Sequence, residues 1–195
     1  MGSSRSQFLE VCKLKMSKFA AIIPSRSGSK SIKDKNLALL GGYPLIAYSI
    51  ALAKMTAGVD RVIVSTDSLE YAKIAEKYGA EVPFLRPKEL SQDTSTDFDF
   101  MSHTVNWFDN NSKDIPDFWI HLRPTTPLRD VHEVEKAMAL IANRQDATSL
   151  RSGHLSPESP FKWLRKNSDG FLTNLNGDDT NLDKKLSIKY LKSDV

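Results

Sequence analysis

The sequence contains one cysteine, Cys12, and four histidines that are scattered without HxxxH or HExxH spacing. A single cysteine excludes an internal disulfide and a CxxC metal site, and the histidine spacing is not that of zinc proteins. No apolar run approaches the about 20 residues that cross a bilayer, and no apolar segment of the signal-peptide type follows the first basic residues. These absences predict a cytoplasmic protein with no membrane partner, and they leave any metal ligands unknown.

Charge of one sign is not concentrated in any stretch of the chain. The 27 basic and 24 acidic residues give a formal net charge of +3. Proteins that bind nucleic acid usually carry a basic stripe or patch, which this sequence does not show. We therefore expect no nucleic-acid partner, whereas a small anionic ligand is compatible with the mild positive excess.

The length of 195 residues predicts one domain with room for an appendage. Residues 1–15 are irregular, and we interpret them as an appended leader. Residues 16–165 form the predicted α/β domain. Residues 166–195 are rich in Asn, Asp, Lys and Ser, and we interpret them as an irregular, truncated C-terminal segment.

Short apolar runs alternate with helical periodicity after residue 18. The predicted strands cover residues 19–23, 61–65, 118–122 and 146–151, and residues 82–85 are predicted to be a short extended piece. The predicted helices have apolar stripes within residues 45–53, 71–78, 95–109 and 131–141, with Asp67 or Ser68 as the cap of the second and Gly58 and Gly79 as helix ends. Strands that alternate with amphipathic helices build βαβ units. The sequence therefore predicts an α/β fold with a mostly parallel sheet and helices on both faces.

The loop after the first strand combines small residues with cations. Residues 25–36 include Arg26, Lys30, Lys33 and Lys35 beside Gly28. Ligands of open α/β sheets bind outside the carboxyl ends of the strands, where backbone amides and arginine can hold phosphate. The loop matches neither G-x-G-x-x-G nor G-x-x-x-x-G-K-[ST]. From these residues alone, a phosphate site and a solvated surface loop remain equally open.

Polar residues also follow the other predicted strands. Thr66-Asp67 follows the strand at 61–65, Arg86-Pro87 follows the extended piece at 82–85, and residues 123–129 follow the strand at 118–122. Each set has a local explanation, such as a helix cap at Asp67. Because the carboxyl ends of parallel strands meet at one edge, these three sets and the loop at residues 25–36 together predict a binding site there, without fixing its chemistry.

Three segments of the sequence resemble the acylneuraminate cytidylyltransferases, the family of CMP-sialic, CMP-legionaminic and CMP-pseudaminic acid synthetases. The segments are IIPSRSGSKSIKDKN at 22–36, VIVSTDSLEYAKIAEKYGAEVPFLRPKELSQDTS at 62–95 and HLRPTTPLRD at 121–130. The resemblance covers about residues 18–165 and implies a Rossmann-like nucleotide-diphospho-sugar transferase fold. It also implies a reaction in which the anomeric hydroxyl of a nonulosonic acid attacks the α-phosphate of CTP. Mg²⁺ is supplied with the CTP and pyrophosphate leaves. Members of the family form homodimers and serve cell-surface polysaccharide biosynthesis.

The same resemblance implies roles for individual residues. Arg26 and Lys35 are the predicted catalytic cations, which hold the triphosphate and stabilise its developing charge. The predicted nucleotide-binding residues are Ser25, Gly28, Lys30, Asn36, Arg86 and Thr96. Arg123 and Thr125 are the predicted residues for the sugar acid, and Arg123 stands where many relatives carry glutamine.

Residues 166–195 do not resemble the later part of the family. An RQ-x-LP…NG segment, a dimerisation arm and acidic residues for the metal are absent, and Asp178-Asp179 is interpreted as a turn. We expect a chain truncated or frameshifted after about residue 180, with weak nucleotide binding and poor catalysis. Two alternatives remain open: a nucleotidyltransferase for another base or sugar, and a nucleotide-binding remnant without catalysis. The sequence does not determine which sugar acid is used.

Overall fold

The computed structural model of the chain describes residues 17–29, 32–111, 114–153, 164–166, 168 and 172–174. The chain divides into two compact units, Met1–Leu150 and Arg151–Val195, which are described separately. The predicted leader, residues 1–15, lies outside the described residues, as does most of the predicted C-terminal segment. The three regions inferred from the sequence therefore stay a prediction.

Strands and helices alternate along the described part of the first unit. The strands are β1 (Phe19–Pro24), β2 (Leu39–Leu40), β3 (Tyr43–Pro44), β4 (Val59–Ser65) and β5 (Phe118–His121). The α-helices are α1 (Leu45–Met55), α2 (Leu69–Lys77), α3 (Asp97–Asn111) and α4 (Val131–Ala142). Two short 3-10 helices cover Lys35–Leu37 and Lys88–Ser91. Within the described ranges, no helix combines the length and the apolar content that a membrane span requires.

The main sheet has the strand order β4-β1-β5, with β1 in the centre and both pairings parallel. The register places Ala21 beside Val62 and Ile120, and the last residue of β1, Pro24, lies beside Ser65. Because the strands are parallel, the segments after β1 and β4 leave the sheet at the same edge. The predicted α/β fold with a parallel sheet is confirmed.

One face of this sheet is covered by α1, α2 and α4. Its core consists of buried aliphatic residues from both strands and helices: Ala21, Ile23, Val62, Val64, Ile46, Ile50, Ala53 and Ala75. Val131 and Val134 of α4 pack against this cluster. The strand members are alternate residues, as expected when every second side chain points to one face. Each fully buried Val or Ile stabilises the fold by about 1.5–3 kcal/mol.

The opposite face is covered by α3 through aromatic contacts. Phe108 packs against Trp119 with ring centroids 5.2 Å apart, and the guanidinium of Arg61 lies 4.7 Å from the centroid of the Phe108 ring. Further along the helix, Phe100 contacts His121 at 5.3 Å. Helices therefore lie on both faces of the sheet, as predicted.

The observed helix ends confirm one predicted glycine and correct another. Gly79 closes α2 in the left-handed conformation, with φ 87°. Gly58 was predicted to end α1, but the helix ends earlier, with Thr56 as its C-cap. The backbone N of Thr56 and its Oγ1 both donate to the Leu52 carbonyl, at 3.0 and 2.8 Å. The threonine thus satisfies a terminal carbonyl before the chain reaches the glycine.

The predicted strand at residues 146–151 is wrong, because the chain turns where that strand would begin. Arg144 bonds Asp146 through its Nε and Nη2, both at 2.8 Å. The backbone N of Ala147 also points back to the Arg144 carbonyl, at 3.5 Å. These local contacts outweigh the modest strand preference of the threonine and leucine that follow.

A small hairpin that the sequence did not predict lies between the loop after β1 and helix α1. Leu39 pairs with Pro44 and Leu40 with Tyr43, and both glycines of the Gly41-Gly42 turn have positive φ, 57° and 87°. Strands of two residues are too short to show an alternating pattern.

The described part of the second unit contains an antiparallel hairpin. Its strands are β6 (Leu164–Lys166) and β7 (Leu172–Asn174). The Asp178-Asp179 pair, which was predicted to form a turn, lies outside the described residues.

Candidate functional site

The loop after β1 leaves the sheet at its carboxyl edge. Ser25 is fully buried there, and its backbone N donates to the Ser65 carbonyl at 2.9 Å, which extends the pairing of β1 with β4 by one residue. The Ser25 hydroxyl is buried without a hydrogen-bond partner among the described residues. Arg26 is therefore the first residue of the loop that lies beyond the sheet.

Asp67 fastens the loop at the residue after Arg26. Both oxygens of its carboxylate accept from Ser27, Oδ1 from the backbone N and Oδ2 from the hydroxyl, each at 2.8 Å. Of the two predicted caps for α2, Ser68 takes that role by accepting from the Tyr71 backbone N at 3.4 Å. Asp67 is thereby free to hold the loop instead of the helix.

The far end of the loop folds back on its beginning. Asn36 lies in the 3-10 helix Lys35–Leu37, is buried, and donates from Nδ2 to the Arg26 carbonyl at 3.2 Å. The preceding Asp34 has φ 49°, a left-handed conformation that aspartate tolerates. Its Oδ1 accepts from the Tyr71 hydroxyl at 3.0 Å. Burial, and then this bond, raise the pKa of Tyr71, so the hydroxyl remains a donor.

The Arg26 side chain is bound to residues around the second 3-10 helix. Its Nη2 contacts Oδ1 of Asp93 at 2.7 Å, and its Nη1 donates to the Ser91 carbonyl at 3.2 Å. The two side chains of the ion pair are 32% and 36% exposed. Surface ion pairs of this kind contribute only about 0–1 kcal/mol. Arg26 can therefore exchange this partner for a more highly charged anion.

Arg86 braces the loop from inside the fold. It is 5% exposed, and its Nε and Nη2 donate to the Ser65 hydroxyl at 3.0 Å and the Ser65 carbonyl at 2.5 Å. Its guanidinium also lies 5.1 Å from the centroid of the Phe100 ring. Burial lowers the pKa of Arg86 to about 10, and the negative charge of Asp67 opposes the shift. Arg86 is therefore a buried cation at neutral pH, next to the carbonyl that also binds Ser25.

The remaining loop candidates differ in how the structure places them. Gly28 is exposed with φ 72°, and a Cβ built there would meet no atom within 4 Å. The backbone conformation, rather than crowding, therefore favours glycine at this position. Lys35 is half-buried and begins the 3-10 helix. Lys30 lies outside the described residues.

Two other candidates contact the first turn of α3. The backbone N and Oγ1 of Thr96 donate to Oδ2 of Asp99 at 2.6 and 3.0 Å, which is one half of a capping box. Arg123 pairs with Asp97, and its side chain is 57% exposed. Thr125 is exposed. Thr96 thus has a capping role that the sequence did not predict, while Arg123 remains accessible.

Arg86 links these two groups of candidates. On one side it bonds Ser65, whose carbonyl also accepts from Ser25. On the other side it lies over Phe100, which is one turn beyond Asp97 in α3. Arg86 therefore connects the Ser65 carbonyl that holds the loop with helix α3, whose first turn binds Arg123.

Three carboxylates bind predicted cations or the loop that carries them, and none of the three was predicted to do so. They are Asp67, Asp93 and Asp97. Arg26 and Asp93 are 67 positions apart, and Ser27 and Asp67 are 40 apart. No local spacing reveals such pairs. The available signal in the sequence was Asp67, an acidic residue shortly after β4.

The described residues do not fit a metal site built by the protein. Among them, no group of three or more His, Cys, Asp or Glu side chains lies close enough to hold a metal ion. The nearby carboxylates of Asp67 and Asp93 already accept from Ser27 and Arg26. We therefore derive no step through Mg²⁺ bound by these residues.

Comparison with known proteins points to one family. The family model described as cytidylyltransferase matches residues 20–167 of this chain. The chain is 42% identical over 123 residues to the N-acylneuraminate cytidylyltransferase of Escherichia coli O18:K1:H7, which covers 63% of this chain and 28% of that protein. It is 39% identical over 123 residues to the CMP-N,N'-diacetyllegionaminic acid synthase of Legionella pneumophila, covering 62% and 51%. The pseudaminic acid cytidylyltransferase of Campylobacter jejuni is 36% identical over 116 residues, covering 60% and 50%. The chain thus spans between 28% and 51% of the length of these relatives.

Solved structures share the fold. A CMP:2-keto-3-deoxy-manno-octonic acid synthetase complexed with CTP matches with a TM-score of 0.57 and 23% identity, over 67% of this chain and 49% of that one. A cytidylyltransferase from Leptospira borgpetersenii matches with a TM-score of 0.52 and 19% identity, over 67% and 51%. The predicted Rossmann-like fold is confirmed by these likenesses.

Proposed function

Since this chain belongs to the cytidylyltransferase family, we propose that it transfers CMP from CTP to the anomeric hydroxyl of a sialic-acid-like keto-sugar acid and releases pyrophosphate. Relatives at 36–42% identity are named for sialic, legionaminic and pseudaminic acids, all of which are acids of this class. Because the chain spans only part of those proteins, its own activity has to be measured.

The observation that carries the proposal is the position of Arg26. It stands at the carboxyl end of the central strand, where ligands of open α/β sheets bind. The preceding residue, Ser25, is held by its hydrogen bond to Ser65, and the Arg26 carbonyl accepts from Asn36. Among the described residues, the Arg26 guanidinium is bound by a partly exposed ion pair and one carbonyl. A fixed backbone with an exchangeable side-chain partner suits a residue that grips phosphate oxygens.

The proposed reaction depends on stabilising the charge that develops on the phosphate, and it forms no covalent enzyme intermediate. The anomeric hydroxyl loses its proton to solvent as its oxygen attacks the α-phosphorus of CTP. The bond from that phosphorus to the bridging oxygen breaks, and pyrophosphate leaves with the electron pair. Arg26 and Lys35, with Lys30, are assigned to neutralise the charge that develops on the phosphate oxygens. Ser25 and Gly28 belong to the same loop and are assigned to nucleotide binding. Mg²⁺ is assigned to enter the site together with CTP.

The remaining candidates are assigned to the two ends of the substrates. Asn36, Arg86 and Thr96 are assigned to the cytidine side, where two hydrogen bonds to Ser65 fix the position of the Arg86 guanidinium. Arg123 and Thr125 are assigned to the sugar acid. Arg123 is accessible and already binds a carboxylate, that of Asp97. A sugar carboxylate presents the same chemical group and can replace it.

The proposal is tested by pyrophosphate release and by nucleotide-dependent stabilisation. The chain is incubated with CTP, Mg²⁺ and sialic, legionaminic, pseudaminic or Kdo acid, and its melting temperature is recorded with CTP, UTP, GTP and ATP. Of the four nucleotides, we expect only CTP to raise the melting temperature, and we expect at least one acid to trigger pyrophosphate release. CTP binding without release for every acid would favour the nucleotide-binding protein without catalysis. Preference for another nucleotide would overturn the assignment to CTP.

A further inference from the structure

We propose that Asp67 is a positioning residue, which sets the place of Arg26 for nucleotide binding and transfer. This inference rests on the proposed function, because it concerns the same loop. Asp67 itself is not assigned to contact the substrate. It acts through Ser27, the neighbour of Arg26 in the chain.

The carboxylate of Asp67 serves the loop and not its own helix. Its two oxygens both accept from Ser27, each at 2.8 Å, across 40 positions of sequence. Helix α2 has its own cap in Ser68. An aspartate next to a helix start would ordinarily be explained by capping. Because Ser68 already caps the helix, the contact with Ser27 explains why an aspartate stands at position 67.

Arg26 lies between two residues whose backbone N atoms are held by hydrogen bonds, and Asp67 accepts the second of these bonds. On the preceding side, the Ser25 backbone N bonds the Ser65 carbonyl at 2.9 Å. On the following side, Asp67 holds the backbone N of Ser27. Without Asp67, Ser27 loses its anchor, and the bond from Asn36 to the Arg26 carbonyl is left to hold this side of Arg26. A displacement of about 1 Å at a reacting group can lower the rate about 10²-fold.

The charge of Asp67 makes a purely electrostatic role for it unfavourable. A negative carboxylate beside a proposed triphosphate site repels the ligand, so its benefit has to come from geometry. Carboxylate oxygens accept two hydrogen bonds from one residue at once. Asparagine keeps one such acceptor, and its amide group can donate to the Ser27 hydroxyl. Asp67→Asn is therefore expected to preserve the geometry while removing the charge, whereas Asp67→Ala removes both.

The first test is a double-mutant cycle with Arg26, measured as kcat/KM for CTP. We expect Asp67→Ala to lower kcat/KM on the order of 10- to 100-fold in the wild-type background. In the Arg26→Ala background the same change should alter kcat/KM less than about threefold, because the residue to be positioned is gone. Asp67→Asn should stay within about fivefold of wild type. Asp60→Ala is the matched control, since Asp60 also accepts from a backbone N–H that is distant in sequence, that of Phe19 at 3.3 Å, at the other end of β1.

Two results of the cycle would overturn the proposal. An Asp67→Ala effect of equal size with and without Arg26 would show that Asp67 acts independently of that residue. An Asp67→Asn variant as impaired as Asp67→Ala would show that the charge matters, as for a group that binds a metal. If Asp67→Ala does not fold, Ser27→Ala replaces it in the cycle, with a smaller expected loss because the backbone bond remains.

The second test does not depend on activity. Amide hydrogen exchange of the full chain is followed by mass spectrometry at the peptide that contains Ser27, in wild type, Asp67→Ala and Asp60→Ala. Faster exchange at this peptide only in Asp67→Ala supports the positioning role. Unchanged exchange would refute it even if the enzyme is active. A wild-type chain that neither binds CTP nor releases pyrophosphate would refute the proposed function, while the exchange experiment still tests the anchor.

Discussion

The nucleotide side and the acid side of the candidate site are held in different ways. The nucleotide side is the loop at residues 25–36, which is tied to the sheet and to α2 by buried or half-buried contacts from Ser65, Asp67 and Tyr71. The acid side comprises Arg123 and Thr125, which are both exposed. Arg123 is held there by a surface ion pair with Asp97.

This difference matches the demands of the two proposed substrates. The triphosphate undergoes the bond change, so the groups around it benefit from fixed positions before the substrate arrives. The acid has only to be held by its carboxylate, and an exposed arginine with a weak partner can do that. We therefore expect substitutions on the nucleotide side to affect catalysis or stability strongly, and those on the acid side to affect affinity for one substrate.

The largest effect is expected for Arg26→Ala. Loss of this guanidinium should abolish the stabilisation of the protein by CTP and lower kcat/KM about 10²- to 10³-fold, because charge on the phosphate is no longer neutralised. The melting temperature without ligand should change little, because Arg26 is not part of the core. Lys73→Ala, which removes an exposed cation from α2, is the control. A much lower melting temperature of Arg26→Ala without ligand would show that the residue is structural.

A smaller effect, on stability, is expected for Arg86→Met. The substitution leaves the Ser65 hydroxyl without its donor and removes one of the two donors to the Ser65 carbonyl. Unfolding in urea should show a loss of about 1–3 kcal/mol. Arg151→Met, at an exposed position, should leave the unfolding free energy unchanged. If both variants unfold alike, Arg86 does not brace the loop.

The acid side should respond to Arg123→Ala with a change in one substrate only. We expect KM for the sugar acid to rise about tenfold, which corresponds to about 1.4 kcal/mol for a charged hydrogen bond at an exposed site. KM for CTP should stay the same. Asp97→Asn should act in the opposite direction by a few-fold, since it releases Arg123 from its partner. Equal losses for both substrates in Arg123→Ala would remove the distinction between the two sides.

The smallest effect concerns the dependence of stability on pH. Burial, and then the charge of Arg86, lower the pKa of His103 from its ordinary 6.5. The unfolded chain therefore takes up the proton first as the pH falls. The stability contributed by neutral His103 is present above pH 6.5 and is lost as the pH falls through the folded pKa. Unfolding free energy should thus fall less steeply on acidification in His103→Gln than in wild type. Identical slopes would contradict the lowered pKa.

The sequence predicted the elements of the fold because they depend on local patterns. The apolar run after residue 18 and the stripe that includes Ile46 and Ile50 correspond to β1 and α1 in the structure. Gly79 marks a helix end because its left-handed conformation is a local property. The predicted strand at 146–151 failed for a related reason, since a short turn around Arg144 and Asp146 competes with a weak strand pattern.

The partners of the site residues could not be predicted in the same way. The pairing of Ser27 with Asp67 and that of Arg26 with Asp93 join distant segments at one sheet edge. The sequence placed those segments at the same edge, because parallel strands share their carboxyl end. It could not say which carboxylate meets which cation, because that depends on side-chain geometry over a few ångströms.

The central claim is that the loop at residues 25–36 holds the triphosphate of CTP. The most direct measurement is a crystal structure of the chain grown with CTP and Mg²⁺. The account predicts phosphate oxygens within about 2.7–2.9 Å of the Arg26 guanidinium, with the Asp93 contact released. CTP bound elsewhere, with Arg26 still paired to Asp93, would contradict it.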